Sequence, residues 1–129
     1  MNDPGSITVE AVAARRGSQT EVILTARIPE GIHIESHQPP EPFLIPTAVE
    51  VQGLEGATVD YPDPIRKDLG VSDVVLSVYE GTPRFVVRGR VAPGAERVRG
   101  AIRYQPCVGG ACLPPRETTW DIPLAAGPD

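Results

Sequence analysis

Cys107 and Cys112 are the only cysteines of this 129-residue chain, and their spacing is the one feature that points to a reaction. Cys107-Val108-Gly109-Gly110-Ala111-Cys112 is a C-x4-C pair with two glycines at its centre. Gly109 and Gly110 reach positive φ at low steric cost, so the segment predicts a tight hairpin. Its arms, Ala101 to Pro106 and Arg116 to Leu124, would bring the two Cα atoms within disulfide reach.

Three chemistries compete for such a pair. As a structural staple it is weak. Closing about six residues contributes roughly 2 kcal/mol in the loop-entropy picture, against nearly 5 for a hundred-residue loop. The long-range disulfide with an intervening core Trp that marks antibody domains is absent. The lone Trp120 comes after both cysteines, on a face with Ile122 and Leu124, and reads as core. As a metal site, His33 and His37 would complete a formal count of two His and two Cys. They lie some 70 residues upstream, however, and His33 within Ile-His-Ile reads as a half-buried strand residue beside a loop His37. As an exchange site, the pair needs an accessible sulfur for in-line attack. The glycines leave the turn bare, Pro106, Pro114 and Pro115 stiffen its flanks, and Arg103 and Arg116 are the nearest cations that could favour a thiolate. Exchange is the reading the spacing favours. Without a C-x-x-C motif opening a helix, the pair is a modest nucleophile that relies on a partner's activated cysteine.

The elements that must position the pair read as short strands. Ile7, Val9, Ala11 and Ala13 share one face, and Val22, Leu24, Ala26 and Ile28 share another, the period of two of half-buried antiparallel strands. Further strand-like stretches run at about 47–52, 57–61, 74–80, 83–92, 97–106 and 116–124. Fifteen prolines and thirteen glycines interrupt any long helix, so the fold class is an all-β sandwich in a single domain over 1–124, with 125–129 as a tail. Prolines 39, 40, 42 and 46 make 38–46 an extended connection or sheet edge. The stretch 62–73 is too polar and irregular for a strand and predicts a long functional loop or a surface excursion.

A net charge of -5 and the lack of a basic stripe weigh against a nucleic-acid or anionic-membrane partner. No apolar run reaches the roughly 20 residues of a membrane span. Met1-Asn2-Asp3-Pro4-Gly5 is polar and lacks the apolar core of an export signal, compatible with a cytosolic chain or with the mature part of an exported one. No phosphate-binding glycine loop or acidic cluster calls for a nucleotide, flavin or metal cofactor.

Arg103-Tyr-Gln-Pro-Cys-Val-Gly-Gly-Ala-Cys-Leu-Pro-Pro115 resembles the active-site hairpin of the amino-terminal periplasmic domain of the DsbD thiol:disulfide interchange family, which reads Tyr-Gln-x-Cys, a short turn, then Cys-x-Pro-Pro. Gly31-Ile32-His33-Ile34-Glu35-Ser36, Pro46-Thr47, Tyr61-Pro62 and Val78-Tyr79-Glu80-Gly81 agree in order, so the resemblance covers nearly the whole chain. It implies an immunoglobulin-like sandwich whose cysteines take electrons from a thioredoxin-like domain and pass them to periplasmic disulfides, such as those of disulfide isomerases and cytochrome c maturation proteins. By motif position Cys112 would form the mixed disulfides and Cys107 would resolve them, with Tyr104, Gln105, Gly109, Gly110 and Pro114 shaping the site. A cap loop that shields the pair in the family would fall on 62–73, with Ile65 or Leu69 in place of an aromatic cap residue. The turn is one residue shorter than the family's best-known form. The reading from another class is an immunoglobulin-like binding module whose short disulfide is only structural.

Overall fold

The computed structural model describes residues 5–39, 44–67 and 76–124. Among them there is no helix. Twelve strands run in order: β1 (Thr8–Arg16), β2 (Gln19–Arg27), β3 (His33–Glu35), β4 (Ala48–Gln52), β5 (Leu54–Asp60), β6 (Ile65–Lys67), β7 (Leu76–Tyr79), β8 (Arg84–Val91), β9 (Arg97–Tyr104), β10 (Pro106–Val108), β11 (Ala111–Cys112) and β12 (Arg116–Pro123). They form three sheets, ordered β1-β2-β8-β5, β12-β9-β4 and β11-β10-β3-β7-β6, and every pairing is antiparallel.

The alternation read from the sequence sets the core. Val22, Leu24 and Ala26 of β2 and Phe85 and Val87 of β8 are fully buried, and they join Val98, Ile102, Tyr104 and Trp120 of the β9–β12 layer in one cluster. Ile34 and Tyr79 extend that cluster into the five-stranded sheet. Trp120 is buried, with Ile122 and Leu124 packed against the cluster, as the sequence predicts.

Two expectations change. Residues 65–67, within the stretch expected to lack regular structure, form β6, paired to β7 with Ile65 opposite Val78. The β-branched Ile65 takes extended backbone, and Lys67 bonds Glu80 beyond the end of β7, an added tie between the two chain segments. Leu69 and the tail 125–129 lie outside the described residues.

The second change concerns the cysteine hairpin. Its arms pair as one ladder only up to Tyr104↔Arg116, within the three-stranded sheet. Its tip, Cys107↔Cys112 and Val108↔Ala111, belongs to the five-stranded sheet, where β10 pairs with β3. Between the two ladders the outgoing arm spends Gln105 and Pro106, and the returning arm spends Leu113, Pro114 and Pro115. One extra residue on one side of an antiparallel pair bends the ribbon and re-aims the residues beyond the bend. Prolines there cannot donate to a continued ladder. The sequence thereby breaks a long hairpin in two and hands its tip to another sheet.

Candidate functional site

The tip is a two-residue hairpin. Gly109 has φ 59°, and Gly110 is not in the positive-φ region, the pattern of a type II′ turn with glycine at its first central position. Only one of the two glycines therefore supplies positive φ, where the sequence reading gave both that role. The register sets Cys107 directly opposite Cys112, with Cα atoms 4.0 Å apart, and a disulfide joins them.

The two sulfurs have different surroundings. Cys107 lies between β11 and β3 and is fully buried. Cys112 is exposed on the edge strand β11, beside exposed Ala111, Gly110 and Gly109. Of the two, only Cys112 is exposed to solvent, and Cys107 is enclosed behind it.

The residues expected to shape the hairpin gather around it. Gln105 Nε2 donates to the carbonyl of Leu113 at 3.2 Å, and the Leu113 amide donates to the Pro106 carbonyl at 2.8 Å. These two bonds bridge the bulged stretch that the prolines leave without a ladder. Pro106 is fully buried, and Pro114 is exposed on the returning arm. Tyr104, also buried, accepts a hydrogen bond on its hydroxyl from the Ile7 amide at 3.1 Å and meets Thr118 Oγ1 at 3.4 Å. It clamps the start of the chain to the foot of the hairpin. Gly5 completes that clamp: a Cβ there would lie 2.8 Å from Leu113 Cδ1 and 2.9 Å from Pro106 Cγ, so a larger residue would have to displace those side chains.

Other expected residues are elsewhere. Ile65, 47% exposed, stands in β6 at the opposite edge of the five-stranded sheet, three strands from β10 and so roughly 14 Å across at ordinary strand spacing. Arg103 points to the outer face of the three-stranded sheet. Its Nε donates to Glu117 at 2.9 Å and its Nη2 lies 3.4 Å from Glu50, so this cation is engaged away from the cysteines. His37 stacks on Tyr61 with ring centroids 3.7 Å apart, and its Nδ1 lies 3.1 Å from the Thr47 carbonyl.

What the sequence reading missed stands behind Cys107. His33 is buried rather than half-buried, and the β3–β10 register sets it directly opposite Cys107. Glu35, on the same face two residues on, is 1% exposed, and neither carboxylate oxygen has a hydrogen-bond partner among the described residues. His33 Nε2 lies 4.0 Å from Glu35 Oε2. Burial pushes the Glu35 carboxyl up to about 6 and pulls the His33 imidazole down, with Glu80 opposing that pull and Lys67 adding to it. At neutral pH the imidazole is uncharged, so this contact is not an ion pair. The alternation His33-Ile34-Glu35 was the available signal: it puts two polar groups on one strand face, but which strand faces them is decided only by pairing. His33, Glu35 and Cys107 each offer a donor atom of a metal-ligand type.

A groove of about 510 Å³ opens elsewhere, between Ser36–Gln38, the Tyr61–Pro64 segment and Tyr79. None of the site residues of the hairpin lines it. Thiol–disulfide exchange requires an accessible sulfur rather than a pocket, and Cys112 is the exposed residue of the pair.

Comparison with known proteins agrees with this fold. The chain superposes on the N-terminal periplasmic domain of ScsB from Proteus mirabilis with a TM-score of 0.71 at 13% identity, covering 91% of this chain and 46% of that one. It thus spans about half the length of that chain. The Neisseria meningitidis DsbD N-terminal domain in its reduced form matches with a TM-score of 0.51 at 18% identity, covering 89% and 83% of the two chains. The complex between the DsbD N-terminal and PilB N-terminal domains of the same organism matches with a TM-score of 0.53 at 15% identity, covering 94% and 85%. At such identities the likeness speaks for the fold, an immunoglobulin-like sandwich. No curated protein matches the chain in sequence. The family description that matches is "Thiol:disulfide interchange protein DsbD, N-terminal", over residues 6–123. With that match spanning nearly the whole chain and the cysteine pair disulfide-bonded at an exposed hairpin tip, the chain belongs to the family of DsbD amino-terminal thiol:disulfide interchange domains.

Proposed function

We propose that this domain, residues 1–124, relays reducing equivalents from a thioredoxin-like donor to extracytoplasmic protein disulfides through Cys107 and Cys112. The observation that carries the reading is the asymmetry of the pair: Cys112 is exposed on an edge strand, and Cys107 is buried behind it. A donor thiolate attacks Cys112 Sγ, the Cys107–Cys112 bond breaks, and its electron pair leaves on Cys107 Sγ, which takes a proton. The donor's second thiol then attacks its own sulfur in the mixed disulfide and releases Cys112. In the forward half, the Cys112 thiolate attacks an acceptor disulfide, and Cys107 displaces the acceptor from Cys112 while reforming the bond in the interior. Tyr104, Gln105, Gly109, Gly110 and Pro114 hold the tip in place for both halves. Of the expected cap loop 62–73, Ile65 stands at the far edge of the sheet from Cys107, and Leu69 lies outside the described residues.

The family supports a thioredoxin-like donor and an extracytoplasmic setting. A solved complex of a related DsbD N-terminal domain with a PilB N-terminal domain, and the periplasmic ScsB domain, support the same two points. Acceptors of the cytochrome c maturation or disulfide isomerase kind come from the same family reading. Trapping tests it. Cys107→Ala should accumulate mixed disulfides with a thioredoxin-like protein, and Cys112→Ala should not; the reverse pattern overturns the roles. Titration in glutathione or dithiothreitol buffers separates a relay from a structural module, because a pair that no thioredoxin-like donor can reduce is a staple.

A further inference from the structure

Behind the disulfide lie two groups for which electron relay has no use. His33 faces Cys107 across the β3–β10 ladder, and Glu35 stands two residues on along the same face of β3. One donor atom from each of His33, Glu35 and Cys107 lies within 4.8 Å of the other two, and all three residues are buried. Among the described residues, both oxygens of the Glu35 carboxylate lack a hydrogen-bond partner, a costly arrangement for a buried acid. An apolar residue would fill the same place without that cost.

We propose that His33, Glu35, Cys107 and Cys112 form a zinc-type divalent metal site that opens only when the cysteine pair is reduced. Imidazole, carboxylate and thiolate are the ligands Zn²⁺ takes, in tetrahedral sets of four. Bond lengths of about 2.0–2.3 Å put the donor atoms of such a set roughly 3.3–3.8 Å apart. The 4.0 Å between His33 Nε2 and Glu35 Oε2 is close to that range, and the 4.8 Å limit on the trio asks for about 1 Å of closure. The fourth ligand is Cys112, which is bonded to Cys107 in the oxidised state and exposed, so it gives an incoming cation a point of entry.

The oxidation state is the gate. In the disulfide neither sulfur is a thiolate, and the thiolate is the metal ligand. Reduction by an external dithiol or phosphine adds two electrons and two protons, breaks the sulfur–sulfur bond and leaves two thiols. Zn²⁺ then displaces both thiol protons to solvent and is held by two thiolates, the Glu35 carboxylate and the neutral His33 imidazole. The loaded domain has no free thiolate, so the metal holds back its electrons from exchange until it is removed. The ligand set differs from the two-His count of the sequence: His37 is engaged with Tyr61 and Thr47, and Glu35 takes its place.

The metal site needs only a reducible disulfide; its effect on exchange rests on the relay reading, but its binding does not. The domain is reduced anaerobically with tris(carboxyethyl)phosphine and titrated with Co²⁺ as the probe, and Zn²⁺ is then added to displace it. The expected result is one Co²⁺ per chain with thiolate-to-cobalt charge-transfer bands and the visible bands of a tetrahedral site, and no such spectrum from oxidised protein. His33→Gln and Glu35→Gln should each weaken binding by about 100-fold or more, since even outer partners of a metal ligand are worth 10–100-fold. Absence of Co²⁺ binding by the reduced domain, equal binding by the oxidised domain, or undiminished binding by both variants would overturn the site. The comparison of reduced with oxidised wild type involves no substitution, so a variant that folds poorly leaves the test decisive. No thiol partner is present in it, which keeps its failure separate from failure of the trapping experiment.

Discussion

The base and the tip of the Cys107–Cys112 hairpin are continuous in sequence and opposite in construction. The base is an eight-pair ladder from Arg97↔Pro123 to Tyr104↔Arg116, lined by Val98, Ile102, Tyr104 and Trp120 of the central core. The tip has two register pairs, a glycine turn and one buried side, that of Cys107. Stability and reactivity are thus divided along one ribbon. The base is fixed by packing that a solvent-facing exchange site could not tolerate. The tip is held by the disulfide that the proposed exchange would break, by a short pairing to β3, and by the Gln105–Leu113 and Leu113–Pro106 hydrogen bonds. The proposed relay breaks the disulfide in each cycle, and this division would leave the fold resting on the base.

The largest effect that would test this division is in the base. Ile102→Ala removes a fully buried side chain and should cost about 2–5 kcal/mol in denaturant unfolding of the oxidised domain. Val108→Ala, at a tip position 51% exposed, should stay within about 0.5 kcal/mol. Similar losses at both positions would erase the distinction. Reduction of the disulfide comes next. It should lower stability by roughly 2 kcal/mol and leave amide-exchange protection of Ala101 and Ile102 intact relative to the global value. Collapse of the whole ladder on reduction would mark the pair as a staple.

Glu35 tests the layer that backs the tip. Its carboxyl is raised from 4.5 to about 6 in the fold, so its contribution is fully present below pH 4.5 and is lost as pH rises through 6. The rise corresponds to about 2 kcal/mol. In chelator, oxidised Glu35→Gln should therefore gain about that much relative to wild type between pH 4 and pH 8, read as the difference of two denaturation curves at each pH. A difference that does not change with pH would show that the carboxyl carries no burial penalty. The smallest effect belongs to the joint between the start of the chain and the hairpin. Tyr104→Phe leaves the ring in the core but removes the acceptor of the Ile7 amide, and should cost about 1 kcal/mol, with exchange protection lost first at that amide.

Much of this was legible in the chain. The alternations in 7–13 and 22–28, the punctuation by glycine and proline, and the C-x4-C turn are local, and each reports on its own few residues. They gave the sandwich, most strands, the core position of Trp120 and the facing of the two cysteines. The family resemblance added the chemistry. Ile65 shows where local reading failed: a short strand in a polar stretch is created by the partner strand β7 rather than by its own pattern.

The sequence by itself determined which residues alternate, where the turns fall and that two cysteines meet across one of them, because those features depend on neighbours a few residues apart. Only the tertiary structure decided that Cys112 faces solvent while Cys107 is enclosed, that the hairpin changes sheets at its prolines, and that His33 and Glu35 stand behind the sulfur. Those outcomes depend on which strand lies beside β10. The choice of β3, some 70 residues away, is settled by the packing of three sheets around one core and leaves no mark at either strand alone.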